Sequence, residues 1–233
     1  MKARNIFNLP RILGVPVLIL NFGLCSSDCF SQNSIILDGA YIVLDGGTVG
    51  IPIYVVVDQP NILGIVRPGG GHIVSEGQYN YVKWNSGTST GSYVFPFGVG
   101  GNAADYIPFT FNKTTLGNSD VSMSTWTSNS SNVPWAAASN VAAVTNMNIT
   151  GGPNLSVPSV IDRWWDIQAP APVIADLTFY YRGIENTTAV PTDIFQTQHW
   201  NGVSWDPSAG PGNPRVITGI GTVGPIPGRT TFS

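Results

Sequence analysis

The stretch Val160-Ile161-Asp162-Arg163-Trp164-Trp165-Asp166-Ile167, set between Pro158 and the prolines Pro170 and Pro172, decides how the chain reads. Side chains alternate across a strand, so Ile161, Arg163, Trp165 and Ile167 share one face and Val160, Asp162, Trp164 and Asp166 the other. Each face carries a large ring and a charge. That mixture predicts a strand at the middle of a sandwich, burying its rings and pairing its charges internally or at a sheet rim.

Working outward, the same alternation recurs on both sides. Val173 to Tyr181 reads as a second long strand, and Phe195 to Trp205 as a hairpin whose Asn201-Gly202 pair suits a two-residue type I′ turn. Asp206 to Pro214 reads as a Pro/Gly loop, and Val216 to Val223 as a last strand. Upstream, Ile35-Ile36-Leu37, Asp38-Gly39 and Ala40 to Leu44 suggest strand, tight turn, strand, with Ile51 to Val57 next. Gln78 to Trp84 alternates well, with Tyr79, Tyr81 and Lys83 opposed to Asn80, Val82 and Trp84. Tyr93 to Gly98, Ile107 to Phe111 and Val121 to Trp126 follow, the prolines Pro96 and Pro108 demanding an edge or a bulge. From Thr127 to Pro158 the period fades into a long connection, with one helical turn near Ala136 to Val144. The fold expected is therefore all-β: an antiparallel, jelly-roll-like β-sandwich with long loops and little helix.

Composition agrees. Only 10% of the 233 residues are charged, while 27 glycines and 18 prolines give a turn-rich chain. A hydrophobic content of 42% supplies enough apolar surface for a core, which argues against disorder. A formal charge of −3 offers no basic footprint for nucleic acid.

The first residues read as an address. Lys2, Arg4 and Arg11 precede an apolar run from Ile12 to Leu24, and Cys29-Phe30-Ser31 places a small residue at −1 before Gln32. The run contains Gly14, Pro16 and Asn21 and falls short of the roughly 20 residues a spanning helix needs. A signal peptide over 1–31 and a single sandwich domain over 32–233 are expected, with an extracellular or cell-surface location and no membrane insertion after cleavage. Leu24 before Cys25 and Asp28 before Cys29 argue against lipidation, which favours a small preceding residue. Cleavage removes both cysteines, so no disulfide or thiolate chemistry is expected. The ending Thr231-Phe232-Ser233 reads as the interior of a longer protein.

Several blocks carry a resemblance: Gly39 to Gly47, Gly70-Gly71-His72-Ile73-Val74-Ser75-Glu76-Gly77 through Trp84, Ile161 to Ile167, and Trp200 to Trp205. Together they resemble the N-terminal region of large secreted or surface proteins of Bacteroidota. Such proteins often carry a C-terminal type IX secretion sorting domain, which is absent from these residues. The resemblance implies a location more than an activity.

Three functions compete. A non-enzymatic surface, adhesion or structural module fits the address and the low charge. A carbohydrate-binding module would use exposed tryptophans, with Trp135, Trp200 and Trp205 as candidate glycan or partner contacts. A glycoside hydrolase needs two carboxylates roughly 5–9.5 Å apart, whereas Asp162 and Asp166 stand about 13 Å apart on an extended strand. The one Gly-x-Ser-x-Gly spacing, Gly87-Thr88-Ser89-Thr90-Gly91, leads into the strand pattern from Tyr93 and not into the helix that a nucleophile elbow needs. The Asp-Gly turns match no dense carboxylate loop, and His72, Glu76 and His199 form no metal-ligand spacing. Neither a catalytic residue, a metal nor a cofactor is expected, and Arg163 is expected in a structural ion pair that fixes register between the sheets.

Overall fold

The computed structural model describes residues 34–127, 161–169, 173–185, 194–201, 203 and 205–230. The chain divides into Met1–Ser31 and Gln32–Ser233. The expected signal segment over 1–31, the connection over 128–160 with Trp135, and the hairpin residues 202 and 204 lie outside the described residues.

The described strands are β1 (Ile35–Ile36), β2 (Tyr41–Val43), β3 (Ile53–Val57), β4 (Ile65–Val66), β5 (His72–Val74), β6 (Asn80–Asn85) and β7 (Gly91–Phe95). They continue with β8 (Phe109–Lys113), β9 (Asp120–Trp126), β10 (Trp164–Gln168), β11 (Ala175–Arg182), β12 (Ile194–Thr197), β13 (Ala209–Pro214) and β14 (Ile220–Arg229). Helical structure among the described residues is limited to short 3₁₀ turns. Two four-stranded sheets, ordered β10-β9-β6-β3 and β14-β11-β8-β7, face each other across one core. The fold is an all-β sandwich, as the alternation predicts.

The core forms because each strand's period of two puts one apolar row inward. Val82, Trp84, Val121, Met123 and the half-buried Trp165 and Ile167 come from the first sheet, and Tyr93, Phe95, Phe109, Phe111, Leu177 and Phe179 from the second. Rings bridge the layers edge to face: Trp84 meets Tyr93 at 5.1 Å and Phe95 at 5.5 Å, and Trp165 meets Phe179 at 4.9 Å. Such pairs add to the stabilisation that area burial gives. Lys113 closes one end, its buried ammonium donating to Ser86 Oγ and the Gly87 carbonyl.

Three expectations need correction. First, β10 is an edge of its sheet among the described residues, not a middle strand. Trp164 is buried and Trp165 half-buried all the same, because the opposite sheet covers one face and Trp205 packs on the other. Second, Asp38-Gly39 closes no hairpin. Instead β1 pairs in parallel with β4, β2 with β5 and β3 with β6. The glycines explain the closeness of β2 and β5: a Cβ on Gly71, whose φ is +79°, would stand 2.1 Å from the Ala40 carbonyl oxygen. The triple glycine thus serves backbone approach between segments. Third, the Pro/Gly stretch before Pro214 contains β13, which pairs with β12. Asn213 on that strand accepts from Gly224 N–H at 2.9 Å and donates to its carbonyl, so tertiary pairing overrides low strand propensity.

His72 is wholly buried at this junction, with Nε2 2.7 Å from the Gly100 carbonyl and its ring against Gly98. Burial pushes its pKa down, opposed by the Gly100 hydrogen bond, reinforced by the charge of Arg67 and opposed by that of Asp105. The folded state therefore holds the ring neutral where the unfolded chain binds a proton. Stability from this group is present above the ordinary histidine pKa of about 6.5 and is lost as pH falls below it. Thermal melts between pH 7.5 and 5 are expected to show the midpoint falling, with a shallower fall in His72→Gln, whose amide can still donate to Gly100.

Candidate functional site

The strand that looked most like a site resolves into two arrangements. Arg163 immediately precedes β10, with only 3% of its surface exposed. Its Nη1 donates to Glu76 Oε1 at 2.6 Å, and its Nε and Nη2 donate to the two oxygens of Glu185. Burial works against the charge, and the two carboxylates outweigh it, holding the guanidinium ionised. Glu185 sits in the 3₁₀ turn Gly183–Glu185 after β11, so the fork ties the start of β10 to the far end of the other sheet. Arg182 Nε also donates to Glu185 at 3.0 Å and its Nη1 reaches Asp105. Glu76 holds a φ of +32°, uncommon for a residue with a side chain, and its other oxygen accepts from Thr127.

The expected ion pair is therefore present, with partners the alternation could not name. The strand's own aspartates do not serve it. Asp162 N–H donates to the Glu185 carbonyl, and Asp166 lies on the other face of β10. The only glutamates in the chain, remote in sequence, supply both partners. The one available signal was arithmetic: a buried arginine needs carboxylates, and two glutamates stood unassigned.

The second arrangement is the outer face of the first sheet. Register places Tyr54, Tyr81, Ser124 and Asp166 in one row across four strands, and Val56, Lys83, Ser122 and Gln168 in the next. Tyr54 stacks on Tyr81 with centroids 5.3 Å apart and planes 18° from parallel. Tyr81 OH donates to Asp166 Oδ2 at 2.7 Å, and Gln168 Nε2 donates to the Tyr81 oxygen at 2.9 Å. Burial pushes the Asp166 carboxyl up, partly offset by those hydrogen bonds, and burial beside Asp166 pushes the Tyr81 phenol up as well. Lys83 pairs with Asp120 at 3.1 Å on the same face. Tyr54 remains 43% exposed and Val56 52%.

The tryptophans distribute differently from expectation. Trp205 is only 6% exposed, wedged 5.5 Å from both Trp164 and Trp200. It is a packing residue, while Trp200 is half-buried at the rim of that cluster. The two do flank a turn, joined by an antiparallel bridge. With Trp200 opposite Trp205 the loop holds four residues rather than the two of a type I′ turn, and Asn201 spends its side chain accepting from Val203 N–H and donating to Asp206. His199 pairs with Asp206 at 2.9 Å, far along the chain from His72. Among the described residues no three His, Cys, Asp or Glu side chains gather as a metal site would need. No protein-family profile, curated protein or solved structure matches the chain.

Proposed function

We propose that this chain is a non-enzymatic surface or adhesion module of an exported bacterial protein, of the Bacteroidota type its sequence resembles, and that it meets its partner through the outer face of the β10-β9-β6-β3 sheet. One observation carries the reading. The charges that could have done chemistry in and just before β10 are held in internal contacts, Arg163 by two glutamates and Asp166 by Tyr81 and Gln168. What the sheet offers outward is a ring, an aliphatic edge and neutral or paired polar groups, the composition of a recognition surface rather than of an acid–base pair.

A glycan is the second reading, favoured by the exposed Tyr54 ring on a sheet face that also carries Gln168, Ser122 and the Lys83–Asp120 pair. An aromatic plane next to mixed donors and acceptors suits a pyranose, which has an apolar face and hydroxyl edges. The test is a glycan and matrix-protein array probed with the multimerised chain, comparing wild type with Tyr54→Ala/Gln168→Ala and with Trp200→Ala. Loss of signal by about tenfold in the double variant, with Trp200→Ala weaker in effect, is expected. A blank array against cells, matrix and glycans alike would reject the adhesion reading, and turnover of any polysaccharide would reject the non-enzymatic one.

A further inference from the structure

We propose that the β3 edge is a homodimer interface, in which β3 pairs antiparallel with β3 of a second copy about a two-fold axis at Val55. The proposal stands on the backbone of this strand and not on what the sheet face binds.

Four edges end the two large sheets, and they are not alike. The β14 edge contains Pro225 and Pro227 and is clamped at Gly224 by Asn213 of β13. The β7 edge is covered by the 3₁₀ turn at Ile62–Gly64: a Cβ on Gly91 would stand 2.7 Å from the Ile62 side chain, and Tyr93 OH donates to the Pro60 carbonyl. The β10 edge carries the Asp166 carboxylate. Proline, coverage and charge are the devices that keep strand edges from pairing. In contrast, β3 reads Ile-Tyr-Val-Val-Val, uncharged throughout, with β6 its one strand neighbour among the described residues.

The free groups are identifiable. Ile53 N–H donates to the Tyr79 carbonyl, and the pair with β6 is parallel, so residues 53, 55 and 57 turn their backbone groups inward. Tyr54 and Val56 turn theirs outward. Only an extended chain satisfies a donor and acceptor at every second residue.

A second copy is the occupant that fits. With the axis at Val55, Tyr54 lies opposite Val56 of the second copy and the reverse, and both positions are hydrogen-bonding ones. Their exposed side chains would then stand side by side on the outer face, continuing the Tyr81–Tyr54 row into the second copy. Charge selects the direction. Asp58 ends the strand, and parallel pairing would set the two Asp58 carboxylates side by side, whereas antiparallel pairing puts each beside Pro52 of the other copy. The edge is short, below the roughly 1,200 Å² of a standard interface, so the dimer is expected to depend on concentration.

The test uses the full chain carrying Cys25→Ser and Cys29→Ser, with cysteine placed in turn at 53, 55 and 57. Facing residues of a non-hydrogen-bonded antiparallel pair stand about 4.5 Å apart at Cα, within disulfide reach. Mild oxidation is expected to link Val55→Cys into a dimer and to leave Ile53→Cys and Val57→Cys at least tenfold less linked. In parallel, sedimentation of the cysteine-free chain should show mass rising towards the dimer with concentration, and Val56→Lys should hold it monomeric with an unchanged melting midpoint. A monomer at every concentration, or equal linking at all three positions, overturns the proposal. A blank glycan array with the dimer intact would remove only the glycan reading.

Discussion

Replacing Arg163 with methionine is expected to lower stability by about 3–5 kcal/mol, the range found when one partner of a buried ion pair is deleted. The cost arises from what stays behind. Glu185 is buried and would keep only Arg182, while Glu76 would keep a positive φ without the contact that holds it there. Against a typical stability of about 5–15 kcal/mol this is a large share. Arg163→Lys should recover little, because an ammonium cannot present the fork that meets two carboxylates at once. Adding Glu76→Gln and Glu185→Gln to Arg163→Met should return part of the loss, since no carboxylate is then stranded. Urea unfolding of the four proteins measures this. An Arg163→Met midpoint equal to wild type would mean that the fork contributes nothing to joining the two sheets.

Trp84→Ala is expected to cost a similar amount, about 3–5 kcal/mol, by opening a cavity where the two sheets meet. The ring is fully buried, touches Tyr93 and Phe95 from the opposite layer, and rests on Gly64, where any Cβ would stand 2.9 Å from Cζ2. Its Nε1 donates to the Gln59 carbonyl at 2.7 Å, a bond that alanine would leave unmade. Trp84→Phe separates the two contributions: it keeps most of the ring contact and should lose about 1–3 kcal/mol from the missing donor and the smaller ring. Equal losses for the two variants would place the energy in the hydrogen bond and not in the packing between layers.

The period-two reading succeeded where burial is one-sided and local. The 78–84 stretch divides its faces as its alternation predicts, with Val82 and Trp84 turned to the opposite sheet and Tyr81 and Lys83 on the other face, where Tyr81 is itself buried. Pro96 and Pro108 fall just beyond the ends of β7 and β8, as residues without a donor must. Pairing partners were another matter. Asp38-Gly39 has the chemistry of a tight turn, yet its flanking strands satisfy their backbone groups against β4 and β5. Nothing local to a strand encodes whether its neighbour is the next segment or one further along. The same limit hid the site. Arg163 was visible as a charge in need of a partner, but Glu76 and Glu185 reach it only through the fold, and the Tyr54–Tyr81–Ser124–Asp166 row exists only once four strands are in register.

The parallel pairings of the N-terminal strands bear on the order in which the molecule assembles. Ile35 aligns with Ile65, Tyr41 with His72 and Ile53 with Asn80, so each early segment waits for a stretch about thirty residues downstream. Closing such loops before any contact is gained makes non-local sheets slow to fold. A chain emerging amino end first would carry β1 to β3, with their run of exposed isoleucines and valines, unpaired until β6 had followed. If the chain is exported as proposed above, that delay is an advantage: the leading end stays threadable until the segments that lock it have arrived.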